Sequence, residues 1–227
     1  MPKKRDSVTS VGTKLRTLVA VIIDESGSMN ERRSETIASV NAYLEGIEDE
    51  NPNTLVTIVN FSSPIGEEKR VRFLERNTRV ADTYELTEET YRPRGNTPLL
   101  DAVGSTIRNI ETENVDRFLV VVVTDGLEND SRDFTRESVV SLVRSKENSG
   151  KWTFTYLGVG VDAWAGAQLL GYRNRGNTLS VTRENLPYGF GQFTHDTATY
   201  LASAAASTGS FVSEEEVDVD KILTSSK

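Results

Sequence analysis

FLVVVVTDG, residues 118–126, is the stretch that decides the fold. Phe118–Val123 is apolar without a break and rich in valine, which suits a strand covered on both faces. Thr124-Asp125-Gly126 then ends the run on a polar turn. The same design occurs earlier, where Leu18–Ile23 (LVAVII) is apolar throughout and stops at Asp24. Strands of this kind belong to parallel sheets, whose faces are covered by helices.

Outward from these runs, helix and strand signals alternate. Ile37, Val40, Leu44 and Ile47 recur at helical spacing and predict a helix from Ser34, which Pro52 terminates. Leu55–Phe61 is a second strand, Ser63-Pro64-Ile65-Gly66 a turn and Lys69–Leu74 a third strand. So short a connection makes that pair antiparallel and places the third strand at an edge. Residues 75–96 read as irregular, with a short helix near Thr87–Tyr91. Thr97-Pro98 opens a helix, with Thr as N-cap and Pro at the first helical position, and Leu100, Val103, Ile107 and Ile110 as its buried stripe. Val139, Leu142 and Val143 mark another helix, and Trp152–Leu157 another strand. Ala163–Leu170 is a short helix closed by Gly171, Leu179–Val181 a last short strand and Asp196–Ser207 a final helix.

The expected fold is α/β: a Rossmann-like, doubly wound, mostly parallel sheet with one antiparallel edge strand and helices on both faces. One domain is expected over 17–208. A flexible basic arm at 1–16 precedes it, and an acidic, disordered tail at 209–227, carrying Glu214–Glu216, follows.

Composition narrows the function. The 227 residues hold 26 Lys+Arg against 34 Asp+Glu, a net charge of −8 that disfavours nucleic-acid backbones. The absence of cysteine removes disulfides, zinc–thiolate sites and thiol nucleophiles, and a single histidine, His195, removes multi-histidine metal sites. The longest apolar runs fall far short of the roughly 18 residues of a membrane span, and the basic N-terminus lacks the apolar segment of a secretory signal. A cytoplasmic protein that does not insert into membranes is expected.

In open α/β sheets, ligands sit outside the carboxyl ends of the strands. After the first strand comes Asp24-Glu25-Ser26-Gly27-Ser28, and after the valine strand Thr124-Asp125-Gly126-Leu127-Glu128-Asn129-Asp130. At the head of a central helix stands Arg94-Gly95-Asn96-Thr97-Pro98. A parallel sheet would gather all three at one edge, with the carboxylates of Asp24 and Asp125 beside the hydroxyls of Ser26, Ser28 and Thr97. An all-oxygen set of that kind suits a hard divalent cation such as Mg²⁺, which takes octahedral oxygen ligands. The competing readings are local: Ser28 and Thr97 as helix caps, Asp125-Gly126 as a turn, and Glu25, Asn129 and Asp130 as exposed loop groups.

These residues resemble the von Willebrand factor type A (VWA) domain. Asp24-Glu25-Ser26-Gly27-Ser28 is similar to its D-x-S-x-S motif, Thr97 in GNTPLLDAV to its second-loop threonine and Asp125 in VVVVTDG to its third-loop aspartate. Together such loops form the metal-ion-dependent adhesion site (MIDAS). The resemblance covers 17–208 and is nearest to stand-alone bacterial and phage VWA proteins, which have stretches similar to TYLGVGVDAWA. It implies a cation, Mg²⁺ with Mn²⁺ or Ca²⁺ as alternatives, held directly by Ser26, Ser28 and Thr97. Asp24 and Asp125 would act mainly through water and by orienting the hydroxyls. The remaining position would take a Glu or Asp carboxylate of a partner protein. Glu214–Glu216 offer the same carboxylate from within the chain. The implied role is a non-enzymatic adaptor working with a MoxR-type AAA+ ATPase, a kinase or a phosphatase, and switching through movement of the last helix.

Two alternatives stand beside it. One is a structural subunit whose metal has no regulatory role. The other is metal-assisted phosphate-ester hydrolysis with Asp24 as nucleophile, although such phosphatases carry D-x-D where this chain has Asp24-Glu25-Ser26. No G-x-S-x-G elbow or phosphate-binding G-x-x-x-x-G-K-[ST] loop occurs, and His195 reads as a surface residue. Gly158–Ala163 fits G-x-G-x-x-A, but after a late strand rather than the first.

Overall fold

The computed structural model describes residues 14–64 and 69–213. Among these, the apolar runs form strands β1 (Thr17–Asp24), β2 (Leu55–Phe61), β3 (Val71–Arg79), β4 (Arg117–Thr124), β5 (Trp152–Val159) and β6 (Thr178–Val181). They make one sheet in the order β3-β2-β1-β4-β5-β6, parallel throughout except for the antiparallel edge pair β2–β3. The chain leaves β1 for β2 and β3 on one side, then crosses to β4 on the other. The switch point therefore lies between β1 and β4, where the carboxyl ends of adjacent parallel strands part and open a crevice. Ile23 pairs with Val123 in that register, so Asp24 and Thr124 leave the sheet side by side.

Helices α1 (Arg33–Glu50) and α5 (Leu186–Ala202) cover one face; α2 (Leu99–Ile110), α3 (Arg136–Asn148) and α4 (Ala163–Leu169) cover the other. Alternation along β1 decides the sharing: Val19, Val21 and Ile23 join the first core, and Leu18, Ala20 and Ile22 the second. Residues of β1 and β4 are buried along their whole lengths, as their composition requires.

Several expectations are corrected. β3 does not stop at Leu74 but runs to Arg79, with a register irregularity opposite Val56–Val59. Its polar composition reflects an edge strand that is only half-buried. Thr87–Tyr91 is a hydrogen-bonded turn, not a helix. α5 begins at Leu186, well before Asp196, and ends at Ala202. Gly189 and Gly191 hide its start from a propensity reading. Gly189 is there for close packing: a Cβ would lie 2.9 Å from Leu157 Cδ1. Beyond α5 the chain packs as far as Ser213, with Phe211 buried against Phe193 and Tyr200. The acidic run from Glu214, residues 1–13 and the Ile65-Gly66 half of the expected turn lie outside the described residues. At the other end, Lys14 pairs with Glu50 at 2.7 Å. Among the described residues no helix is long and apolar enough to cross a membrane.

Candidate metal site at the carboxyl ends of β1 and β4

Asp24 ends β1 with its carboxylate fully buried. One oxygen accepts the Ser26 backbone N–H at 2.7 Å, and the other accepts the Thr124 hydroxyl. Burial, helped by the nearby Asp125 charge, pushes its pKa from the ordinary 3.8 up to about 7, against the pull of those hydrogen bonds. Among the described residues no Lys or Arg forms an ion pair with it.

The other four expected residues converge on the same place. Ser26 Oγ and Ser28 Oγ lie 3.1 Å apart, and Ser28 Oγ donates to Asp125 Oδ1 at 2.6 Å. Asp125 follows β4 and is nearly enclosed. Gly126 sits between two of the donors: a Cβ there would lie 3.0 Å from Thr97 Oγ1 and 3.7 Å from Asp24 Oδ2. The helix-capping readings fail. The short 3₁₀ turn Gly27–Arg32 and α1 have no side-chain cap from Ser28. The first helical residue of α2 is Leu99, and its exposed amides are met from another loop, Leu100 N by Glu128 Oε2 at 2.8 Å and Asp101 N by Ser131 Oγ at 3.0 Å. The Thr97 hydroxyl is left without a hydrogen bond to any described residue.

The loops are laced together beneath these donors; the reading of exposed loop groups is overturned for Glu25, while Asn129 is exposed as expected and Asp130 is half-buried. Glu25 is fully buried, with both carboxylate oxygens 2.7 Å from Arg72 Nη2 and one accepting the Arg92 N–H. Its own backbone accepts Arg94 N at 2.8 Å, Gly27 N reaches Gly95 O at 3.0 Å, and Tyr91 OH donates to the Asp24 carbonyl at 2.7 Å. Asn129 Oδ1 accepts Thr97 N at 2.8 Å. Asp130 accepts from Ser63 and pairs with Arg70, and these partners hold its carboxyl below the usual range. Glu25→Ala is expected to cost about 2–4 kcal/mol in urea unfolding, because it strands the Arg72 guanidinium and an amide in a largely dry place. A loss under 1 kcal/mol would show that water replaces the carboxylate at no penalty.

Sequence reasoning missed three residues that shape the site: Thr124 and Tyr91, which fix Asp24, and Arg183, whose Nη2 stands 3.5 Å from Asp125 Oδ2. For Thr124 the signal was its place in the strand-ending turn; for Arg183 the sequence held none. The Gly158–Ala163 segment is accounted for without a dinucleotide, since Asp162 caps α4 by accepting Trp164 N and Ala165 N. His195 is exposed on α5, and Asp196 is held by Gln192 and Ser213.

Among the described residues no three His, Cys, Asp or Glu side chains cluster as a metal cage. The donors here are two carboxylates and three hydroxyls. That set fits a hard divalent cation, which would neutralise the buried Asp24 charge and take up the Thr97 hydroxyl.

A family model described as the von Willebrand factor type A domain matches residues 19–185. Among solved structures, the vWF domain of the type V pili tip protein Mfa5 from Porphyromonas gingivalis superposes with a TM-score of 0.64 at 12% identity, covering 84% of this chain and 98% of that one. The pilus adhesin SpaC from Lactobacillus rhamnosus GG, in an open conformation, gives 0.63 at 12% identity, over 82% of this chain and 30% of that one. Proximal thread matrix protein 1 from the mussel byssus, described with a zinc-occupied MIDAS motif, gives 0.57 at 17% identity, over 82% and 46%. At these identities the likeness establishes the fold. No curated protein sequence matches the chain.

Proposed function

The chain belongs to the von Willebrand factor type A family, whose members are generally protein-interaction modules, and from that premise we propose that it is a divalent-cation-dependent adaptor. Ser26, Ser28 and Thr97 would hold Mg²⁺ or Mn²⁺ through their hydroxyls, with Asp24 and Asp125 behind them. The supporting observation is the division of labour in the donor set. Both oxygens of Asp24 and one of Asp125 are occupied as acceptors from the chain itself, while the Thr97 hydroxyl is unspent. Neutral hydroxyls at the front leave most of a cation's charge unneutralised. A cation held there supplies an attachment point for an external carboxylate oxygen, so the partner would be a protein presenting Glu or Asp. A MoxR-type AAA+ ATPase, a kinase or a phosphatase is the partner class to test first. The enclosure of Asp24 weighs against its use as a nucleophile in ester hydrolysis.

The test is titration calorimetry with Mg²⁺ and Mn²⁺ on the wild type and Thr97→Ala, together with affinity capture from the host in Mg²⁺ or EDTA. Thr97→Ala is expected to weaken cation binding at least tenfold with an unchanged melting temperature, because the hydroxyl supports no hydrogen bond within the described fold. A wild type that binds neither ion would overturn the metal reading. A partner retained equally in EDTA would favour a structural subunit.

A further inference from the structure

We propose that Arg183 is the second contact point for the incoming carboxylate, making the site a two-point receptor that selects a carboxylate over other oxygen ligands. This rests on the metal reading above. Arg183 opens the short 3₁₀ turn Arg183–Asn185 between β6 and α5. Its guanidinium reaches over the rim to within 3.5 Å of Asp125 Oδ2, and its side chain is 47% exposed where that of Asp125 is 2% exposed.

The position is built into the fold. Gly160 has φ +70°, and a Cβ there would lie 3.2 Å from Arg183 Cγ and 3.4 Å from Nε. The glycine leaves the channel along which the arginine stem lies, and Gly160 N ties the strand ends by donating to Val181 O at 2.7 Å. The next residue, Glu184, pairs with Arg32 across the rim at 3.7 Å. The second glycine of the G-x-G-x-x-A segment thus serves to seat a cationic arm.

At 3.5 Å the contact with Asp125 is long for a charge-assisted hydrogen bond. The planar fork of donors is therefore mostly unspent, and it stands one carboxylate away from the Ser28 hydroxyl, which donates to the other oxygen of Asp125. A carboxylate has two oxygens, one for the cation and one for the guanidinium. An amide or alcohol ligand offers only one acceptor. The ligand class is thus a Glu or Asp side chain or a chain-terminal carboxylate. Because Arg183 also places positive charge beside Asp125, it should oppose cation binding slightly while favouring the ligand. A residue that merely supported Asp125 would help both.

The test loads the full chain with Mn²⁺, follows water-proton relaxation, and titrates N-acetyl-glutamate amide and its glutamine counterpart into the wild type, Arg183→Ala and Arg183→Lys. Arg183→Ala should bind Mn²⁺ at least as tightly as the wild type and the glutamate probe about tenfold more weakly, close to the glutamine probe. Arg183→Lys should fall between, since it keeps the charge but not the fork. An Arg183→Ala affinity for the glutamate probe within about twofold of wild type would overturn the inference alone. So would a parallel loss of Mn²⁺ affinity, which would make Arg183 a support for Asp125. Absence of Mn²⁺ binding by the wild type would overturn the metal reading and this inference with it.

Discussion

Asp24→Asn is expected to abolish Mg²⁺-dependent partner capture while making the metal-free fold more stable than the wild type. Both effects come from one buried charge. Asn keeps the shape and a hydrogen-bonding group beside Thr124, but removes the negative charge behind the hydroxyls. Cation affinity should fall about 100-fold or more, at or beyond the upper end for groups that orient metal ligands. Without metal, the wild type carries an enclosed carboxylate whose folded pKa of about 7 lies above the ordinary 3.8. The folded state therefore binds this proton more tightly than the unfolded chain. Wild-type stability in EDTA should rise as pH falls from 8 through 7 towards 4, and this contribution is fully gained below the unfolded value. The gap corresponds to at most about 4 kcal/mol at pH 8, which is the ceiling on the advantage of the variant there. That advantage should shrink steadily on acidification. Urea unfolding of both proteins at pH 5 and pH 8, in EDTA and in Mg²⁺, checks the stability and its metal linkage, and affinity capture with both proteins in Mg²⁺ checks the partner. Parallel stability curves for the two proteins would show that the Asp24 charge is not desolvated in the folded state.

Truncating Arg117 to Ala should produce the largest loss of stability in the molecule, about 3–5 kcal/mol. Its side chain is fully buried at the start of β4. Nε donates to Thr17 Oγ1 at 2.8 Å, Nη1 to Ala205 O at 2.7 Å and Ser203 O at 3.2 Å, and Nη2 to Leu201 O at 2.9 Å. The guanidinium also lies 4.3 Å from the centre of the Tyr200 ring. Burial lowers its pKa, but arginine starts so high that it remains charged. The residue acts as the cap of α5 and the knot of the chain beyond it, supplying donors to carbonyls that the helix end cannot satisfy. Removal leaves those carbonyls dry and opens a cavity between β4 and α5. Against a usual total of about 5–15 kcal/mol, that is a large fraction. The expected signature is a lower urea midpoint with early hydrogen exchange in α5. A variant within 1 kcal/mol of wild type would mean that water reaches this end of the helix.

The parts of the fold that were legible share one property: their signal is local. LVAVII and FLVVVV are long enough, and apolar enough, to be read as strands buried on both faces without knowing their neighbours. The spacing of Ile37, Val40, Leu44 and Ile47 likewise identifies α1. The illegible parts depended on contacts made elsewhere. Half-buried β3 lacks apolar periodicity because its stability comes from pairing with β2. The head of α5 looks unhelical because Gly189 answers to Leu157, a residue of β5.

The site divides along the same line. The sequence by itself determined the donor types and, through the expectation of a parallel sheet, that Asp24, Ser26, Ser28, Thr97 and Asp125 would meet at one edge. A strand that ends in an oxygen-bearing loop carries that information in its own few residues. Only the tertiary structure decided how each oxygen is used. Thr97 reads as an α2 cap until Glu128 and Ser131 arrive from another loop to satisfy that helix. Glu25 reads as solvent-exposed until Arg72, on the edge strand, closes over it. Arg183 acquires meaning only when Gly160 and Asp125 are beside it. Hydrogen bonds and ion pairs reach only about 3–4 Å, so which acceptor meets which donor is fixed by the packing that brings distant segments together, and no local pattern records it.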